Sequence, residues 1–450
     1  MDNIVSLAKR RGFLFPSSEI YGGLANSWDY GPLGAILKNN IKNEWIKFFV
    51  TSREDIVLLD SSILQNFKVW KASGHIEHFH DPLIDCLKCK RRFRADQLLE
   101  EKLSIKAEGL KNEDMDKLIK ENNLKCTVCG GTFTNVRNFN MMFKTTLGSI
   151  EDSGETVFLR PETAQGIFIN FDNIIKSNRI KMPFGVAQIG KVFRNEITAG
   201  NFIFRTLEFE QLEIEYFVNP KDADKYFDEL FKYTEDWYKY IGIDKQNLKY
   251  IELTKKERAH YSKKTIDIYF KFPFGFKELE SFANRGDYDL TKHSQASGKN
   301  LSYNDQDQKE SFIPFVIEPS IGLDRLILAL LSNGYSEEEV NGRKRVFLKL
   351  SHRISPYQVG IFPLLKDGKI DKLALELYNQ LRFKYRVSYD DSGSIGKKYR
   401  RQDEIGTPKC ITFDVETLND DMVTIRDRDT TVQERIKIED IDSYLNSCFT

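Results

Sequence analysis

The sequence predicts an α+β protein built from more than one folding unit, and three observations carry that expectation. The stretch Val186 to Phe217, with strand-like alternation on both sides of a glycine-containing loop, reads as a long β-hairpin. Two runs keep helical spacing of their apolar residues, one after Pro32 and one from Asp222 to Tyr240. From about Lys349 short strand-like and helix-like runs alternate, which suggests a small α/β unit. A chain of 450 residues exceeds a typical single core, so two or three domains are expected.

Composition narrows the function classes. A hydrophobic fraction of 40%, with 33 Phe and 19 Tyr, supplies material for cores and excludes global disorder. Lys plus Arg equals Asp plus Glu at 67 each, so any nucleic-acid partner must be met by a local basic surface rather than by net charge. The start, MDNIVSLAKRRGF, has too short an apolar run for a signal peptide and carries its positive charges on the wrong side of it. No run approaches the roughly 18 apolar residues of a membrane span. The expectation is a soluble cytoplasmic protein with no membrane partner. The six cysteines fit that compartment, because four fall in metal-type pairs and only Cys410 and Cys448 are left over.

In chain order, an irregular segment rich in Gly, Pro, Ser and aromatics, GFLFPSSEIYGGLANSWDYGPLG, precedes a helix expected from Pro32. Its stripe of Leu33, Ile36, Leu37, Ile41, Trp45 and Phe48 wants a partner, either the chain's own sheet or a second subunit. Next, Cys86 and Cys89 are followed after 36 residues by Cys126 and Cys129, and then by two glycines. Each pair can close a knuckle on one tetrahedral metal ion, and zinc suits thiolates without needing a redox partner. Free reduced thiols and a redox dithiol are the alternatives. The gap between the pairs holds a charged helical segment, Leu98 to Lys125, and a basic cluster of Arg91, Arg92 and Arg94 that either meets phosphate or is simply solvated.

Arg160-Pro161-Glu162 then closes an apolar strand and puts a carboxylate at a turn into a helix-like run, Gln165 to Phe171. An acid there is often only a favourable helix N-terminal charge. In the hairpin, Arg194 and Glu196 leave from one face, and Arg205, Leu207, Phe209, Gln211 and Glu213 share a face of the second strand. Such a face could hold phosphate, a flat base and an ammonium group, or be a solvated amphipathic hairpin. Phe274 to Leu290 places Glu278 and Glu280 near Arg285 in a short strand and loop. Phe312 to Leu331 reads as an apolar strand, a Gly322 turn and an apolar helix with Arg325 in its first turn. A cation there opposes the positive end of the macrodipole, so Arg325 wants an anionic ligand or a carboxylate.

These stretches together resemble the class II aminoacyl-tRNA synthetases, and within them the single-chain homodimeric glycyl-tRNA synthetases. The resemblance runs over nearly the whole chain: EIYGGLANSWDYGPLG, FRADQL, RPETAQGIF, VFRNEI with FRTLEFEQLEIEYF as motif 2, SFANRGDYDL, and EPSIGLDR as motif 3. RPETAQG, EFEQLE and EPSIG together are what points to glycine. The resemblance implies a class II catalytic domain with an antiparallel β-sheet flanked by helices (1–84 and 130–348), a cysteine-rich helical insertion (85–129), and a C-terminal α/β anticodon-binding domain (349–450). It also implies that the helix after Pro32 belongs to a homodimer interface. In the last unit, Lys384, Arg386, Lys397, Lys398, Arg400 and Arg401 supply a local basic surface, with a solvated loop as the alternative.

By the same resemblance the chain is a glycine–tRNA ligase that uses ATP with Mg²⁺ and acts on glycine and tRNA(Gly). Arg194, Glu278 and Arg325 are the implied catalytic residues. ATP falls to Arg194, Asn195, Glu196, Phe204, Arg205, Thr206, Leu207, Glu208, Phe209, Glu278, Leu279, Gly322, Leu323, Asp324 and Arg325, with Phe209 stacking on adenine opposite the plane of Arg325. Glycine falls to Arg94, Glu162, Phe209, Glu210, Gln211, Leu212, Glu213, Arg285, Glu318, Pro319, Ser320, Ile321 and Gly322. Within that set Arg94 and Arg285 serve the carboxylate side or a closed state. Cys86, Cys89, Cys126 and Cys129 would hold zinc, and Glu278 with Glu318 would hold Mg²⁺. Two rival readings are a nucleic-acid-binding accessory relative that has lost catalysis, and a class II synthetase for another amino acid. The first should lack Arg194, Glu278, Glu318 or Arg325, and the second should lack the acids of RPETAQG and EFEQLE.

Overall fold

Strand-forming runs rich in Phe, Ile, Val and Leu, the central ones buried on both faces, build one seven-stranded sheet at the centre of the chain. The computed structural model describes residues 1–107, 109–148, 155–197, 200–259, 261–340, 342–365 and 368–449. Its N-terminal part carries helix α1 (Asp2–Arg11), the short pair β1 (Leu14–Pro16) and β2 (Trp28–Tyr30), helix α2 (Pro32–Ile46) and strand β3 (Ile56–Leu58). The sheet proper is made by β4 (Phe184–Phe193), β5 (Glu208–Val218), β6 (Leu248–Glu252), β7 (Lys264–Phe272), β8 (Gly275–Gly286) and β9 (Phe315–Gly322). Its order is β6-β7-β8-β9-β5-β4-β3, and only the last pair, β4 with β3, is parallel.

Helices α3 (Ala223–Ile241) and α4 (Leu323–Gly334) cover one face, with Phe227, Leu230, Trp237, Leu326, Ile327 and Leu330 all buried in the main core. The helix expected from Pro32 starts there. Leu37, Ile41 and Trp45 of its stripe are at most 3% exposed and pack in the protein's own core, while Leu33, Ile36 and Phe48 are half-buried.

The hairpin strands are shorter than their alternation suggests. Pairing stops at Phe193 opposite Glu208, because Asn201 and Phe202 take positive φ and Phe202 and Ile203 turn into the core, which leaves Arg194, Glu196 and Arg205 in a broad loop. Thr198 and Ala199 of that loop lie outside the described residues.

The cysteine pairs sit on a small sheet of His80–Asp85, Arg92–Arg94 and Arg137–Asn140, backed by two helices, Ala95–Leu103 and Asn112–Glu121, with their own core. The C-terminal unit is a five-stranded mixed sheet with a second core. Its expected strands at Val359–Pro363, Val387–Tyr389, Lys409–Phe413 and Met422–Asp427 are present, and Gln433–Lys437 adds a fifth. Four of the six basic residues, Lys397, Lys398, Arg400 and Arg401, lie on helix α5 (Ile395–Ile405). There Lys398 is buried and donates to the Pro363 carbonyl at 2.7 Å, and Arg401 pairs with Asp390, which leaves Lys397 and Arg400 as exposed cations of that helix.

Candidate functional site

Because side chains alternate across a strand, one face of four adjacent strands assembles a single cavity of about 450 Å³. Thr265 and Asp267 of β7, Ser281 and Ala283 of β8, Glu318, Ser320 and Gly322 of β9, and Phe209, Gln211 and Glu213 of β5 line it. Register makes them neighbours: Glu213 and Ser281 both lie opposite Ser320, Glu318 opposite Ala283, and Gln211 opposite Gly322. The long loop between β4 and β5 contributes Arg194, Glu196, Phe204, Arg205 and Thr206, and Glu278, Leu279, Asp324 and Arg325 complete the wall.

The Arg160-Pro161-Glu162 turn is pinned to the sheet edge. Arg160 is buried and donates to the Lys191 carbonyl at 2.8 Å and the Ser61 carbonyl at 2.7 Å. It lies across Gly190, where any Cβ would fall 2.0 Å from its guanidinium, so glycine is required there. This fixes Glu162, which lines the cavity and meets His75 at 3.2 Å and the Gln165 amide at 2.9 Å. Burial alone would raise the Glu162 pKa, but His75 and Arg285 hold it well below the usual carboxylate range.

Glu213, 1% exposed, accepts from Ser320 Oγ at 2.7 Å and from the Thr163 hydroxyl. Burial and the charge of Glu162 push its pKa up. Glu318 is raised well above normal by burial, despite Arg285 at 2.8 Å, with Glu213 and Glu162 adding to the rise. Carboxylates this close favour a cationic guest that neutralises them.

The arginines divide differently. The Arg194 guanidinium donates to the Pro161 carbonyl at 3.0 Å and stands 5.4 Å from the Phe209 ring. Of the anionic ligand or carboxylate expected for it, Arg325 has a carboxylate in this structure: it pairs with Glu278 at 2.8 Å, donates to the carbonyls of Phe204 and Glu278, and lies 4.5 Å over the Phe204 ring. Arg205 stands 3.9 Å from Glu196. Three guanidiniums thus reach one cavity whose floor carries carboxylates, an arrangement suited to a ligand with both phosphates and an ammonium group.

Other expected residues are placed elsewhere, mostly because they fall on the opposite strand parity. Leu212, Pro319 and Ile321 are on the far face, and Leu323 is buried in the core. Glu210 turns to Lys38 and Lys42, and Glu208 to Lys191. Asn195 and Leu207 make backbone contacts, to Met141 and Arg194. Two residues expected to serve glycine are held in ion pairs. Arg94 is held by Asp81 at 3.0 Å and Asp96 at 2.6 Å, and the buried Arg285 by Asp289 at 2.7 Å and Glu318, so neither lines the cavity.

The sequence reading passed over Thr265, Asp267, Ser281 and Ala283, all visible as alternation in KTIDIYF and ELESFANRG, and the segment around Tyr261. It also passed over Glu215, one alternation step beyond Glu213. That carboxyl is fully buried, its oxygens have no hydrogen-bond partner among the described residues, and burial and Glu318 push its pKa well up.

In the insertion the four expected sulfurs converge within 4.8 Å of one another, with Cys86 3.4 Å from Cys129 and Cys89 3.7 Å from Cys126. Tetrahedral thiolates at about 2.3 Å from a metal lie roughly 3.8 Å apart, so the cluster fits one such ion. Gly131 makes the fit possible, since a Cβ there would meet Cys86 Sγ at 2.9 Å.

An antiparallel sheet with motif arginines in a hairpin loop and at a helix start defines a class II aminoacyl-tRNA synthetase core. Residues 143–334 match the tRNA synthetase class II core domain (G, H, P, S and T), and residues 358–447 match the anticodon binding domain. The chain is 53% identical over 451 residues to the glycine–tRNA ligase of Caldanaerobacter subterraneus subsp. tengcongensis, covering 99% of this chain and 97% of the relative. It is 51% identical over 453 residues to that of Clostridium acetobutylicum (99% and 98%), and 51% identical over 447 residues to that of Malacoplasma penetrans (98% and 96%). The chain belongs to the glycine–tRNA ligase family.

Proposed function

We propose that this protein activates glycine with ATP and transfers the glycyl group to the 3′-terminal ribose of tRNA(Gly). The observation that carries the reading is the pairing, in one cavity, of Arg194, Arg205 and Arg325 with a carboxylate floor of Glu162, Glu213 and Glu318. Along β5, Phe209 stands four residues from Glu213, roughly 13 Å, which suits adenine at one place and an ammonium at the other.

No enzyme nucleophile is required. The glycine carboxylate attacks the α-phosphorus in line, and pyrophosphate leaves. Arg194 stabilises charge developing on the α-phosphate, and Arg205 and Arg325 hold the bent triphosphate. Adenine lies between Phe209 and the Arg325 plane. The ribose hydroxyl of tRNA then attacks the glycyl carbonyl, and AMP leaves. Glu278, beside Arg325, with Glu318, already engaged by Arg285, would hold Mg²⁺, which when bound would neutralise phosphate charge.

Glycine offers no side chain to grip, and one methyl in an apolar pocket discriminates by only about 1–3 kcal/mol. Selection against alanine therefore rests on a rigid wall, here the Glu162, Glu213, Ser320 set, each member held by its own hydrogen bond.

Zinc is the metal proposed for the four cysteines, as a structural ion that holds the insertion. Residues 349–450 are assigned to the anticodon, with Lys397 and Arg400 offered to phosphates. A homodimer is proposed, with the exposed Ile20, Tyr21 and Leu24 beside the first hairpin as material for the interface. No helix among the described residues is long and apolar enough to cross a membrane, and a cytoplasmic location is the reading that fits unpaired cysteines.

The test is exchange of pyrophosphate into ATP in the presence of each of the twenty amino acids. Exchange with glycine alone is the expected result. Exchange with none would favour a binding-only relative, and exchange with another amino acid would move the specificity.

A further inference from the structure

A hydrogen-bonded chain that no step above uses ties the ATP side of the cavity to the first thirty residues. Tyr30 ends β2 opposite Leu14 of β1, and its hydroxyl donates to Asp324 Oδ1 at 2.6 Å. The other oxygen of Asp324 accepts from the Glu210 backbone N–H at 3.0 Å. Asp324, only 6% exposed, therefore joins β2, β5 and the first turn of α4, one residue before Arg325. Burial and the adjacent carboxylate keep the Tyr30 phenol protonated far above its ordinary range, so it remains a donor. Lys38 stands 4.1 Å over the Tyr30 ring and, with Lys42, pairs with the Glu210 side chain. A second tie runs through Trp28, whose ring meets Phe202 at 4.6 Å in the loop that carries Arg205.

The hairpin is in turn locked to α1. The Gly31 and Leu33 N–H groups donate to the Phe13 and Gly12 carbonyls at 3.0 and 3.1 Å. A Cβ on Gly34 would fall 1.9 Å from the Phe13 oxygen, so the two backbones touch with no slack. From α1, Arg10 and Arg11 reach the buried Glu404 of α5, in the C-terminal unit, at 3.1 and 2.5 Å.

We propose that residues 1–30 form a strut between α5 and the ATP subsite, in which Tyr30 is a positioning residue that sets Asp324 and, through it, Arg325. The proposal rests on the reading of the cavity as an ATP site. Its physical basis is that a buried carboxylate robbed of one of its two donors holds the first turn of α4 less firmly, and that turn carries Arg325.

Tyr30→Phe in the full chain keeps the ring under Lys38 and removes only the donor. The expected result is a three- to tenfold rise in the ATP KM of glycine-dependent pyrophosphate exchange and in the Kd for ATP by calorimetry, with glycine KM changed less than twofold. Glu404→Gln, remote from the cavity, should raise the same Kd by a smaller factor. The double variant should then match Tyr30→Phe alone, because both changes break one path. A merely structural role would lower melting temperature and the fraction of active sites while leaving both ATP constants at wild-type values, and that outcome overturns the proposal. So does a double variant whose effects multiply. If the wild-type chain binds no ATP, the cavity reading falls and the strut falls with it; if it binds ATP and Tyr30→Phe binds it equally, only the strut falls.

Discussion

Glu213→Gln removes one charge from the carboxylate floor and almost nothing of its shape. The glutamine still accepts one of the two hydroxyls that Glu213 engages, Ser320 Oγ at 2.7 Å and Thr163, and the other hydroxyl can rotate to accept from the new amide. The folded state should therefore lose only about 1 kcal/mol. Toward an ammonium the loss is larger, because a charge-assisted hydrogen bond is worth about 1.5–3 kcal/mol. At about 1.4 kcal/mol per decade, the glycine KM should rise roughly 10- to 150-fold. The ATP KM should change less than twofold, since Glu213 contacts none of the three arginines proposed for the phosphates.

The pH dependence supplies a sign. Burial and Glu162 raise the Glu213 pKa, so wild-type glycine affinity should improve as pH rises and the carboxyl ionises. The variant should lack that limb, and the two proteins should converge at low pH. The assay is pyrophosphate exchange with glycine varied at saturating ATP, and then the reverse, between pH 6 and 8.5. An equal rise in both KM values, or a glycine dependence left at wild type, would refute the assignment of Glu213 to the ammonium.

Arg285→Met leaves Asp289 and Glu318 buried without their cation and should cost about 3–5 kcal/mol, read as a fall in melting temperature; Arg285→Lys should recover only part of it, because an ammonium cannot reproduce the fork. Glu280, buried against the Tyr238 hydroxyl, has its pKa raised by burial from 4.5 to about 7. A carboxyl raised in the folded state contributes stability that is complete below about pH 4.5 and lost as pH rises through about 7, here about 3 kcal/mol, so Glu280→Gln should flatten that part of the urea-unfolding profile, and parallel profiles would refute the burial argument. Cys126→Ser should abolish stoichiometric zinc by elemental analysis and loosen the insertion to proteolysis, and undiminished zinc would move the metal elsewhere.

Much of the cavity was legible because a strand converts sequence parity directly into a face. Phe209, Gln211 and Glu213 could be read as neighbours before any fold was known, and so could the pairing of Arg325 with some acid. Parity also explains the misplacements. A motif read as a block mixes the two faces, so Glu210, Leu212, Pro319 and Ile321 were grouped with a site that their strands turn away from. Arg94 and Arg285 lie outside the cavity lining for another reason. Nothing local in FRADQL or NRGDYDL tells whether an arginine will be spent on Asp96 and Asp289, two and four residues on, or left open for a ligand.

The sequence by itself determined the class of protein, the alternating strands, the cysteine pairs and the identity of the charged groups that a phosphate-and-ammonium ligand needs. These are properties of spacing along the chain, and spacing survives in one dimension. The tertiary structure alone decided which charges remain unspent. Register across β7, β8, β9 and β5 set Glu213, Ser320, Ser281 and Asp267 side by side, and the docking of the β1–β2 pair beside the first turn of α4 brought Tyr30 to Asp324, 294 residues away in sequence. Whether a buried carboxylate serves a ligand or a neighbour depends on which partner lies within about 3 Å, and that distance is set by the fold.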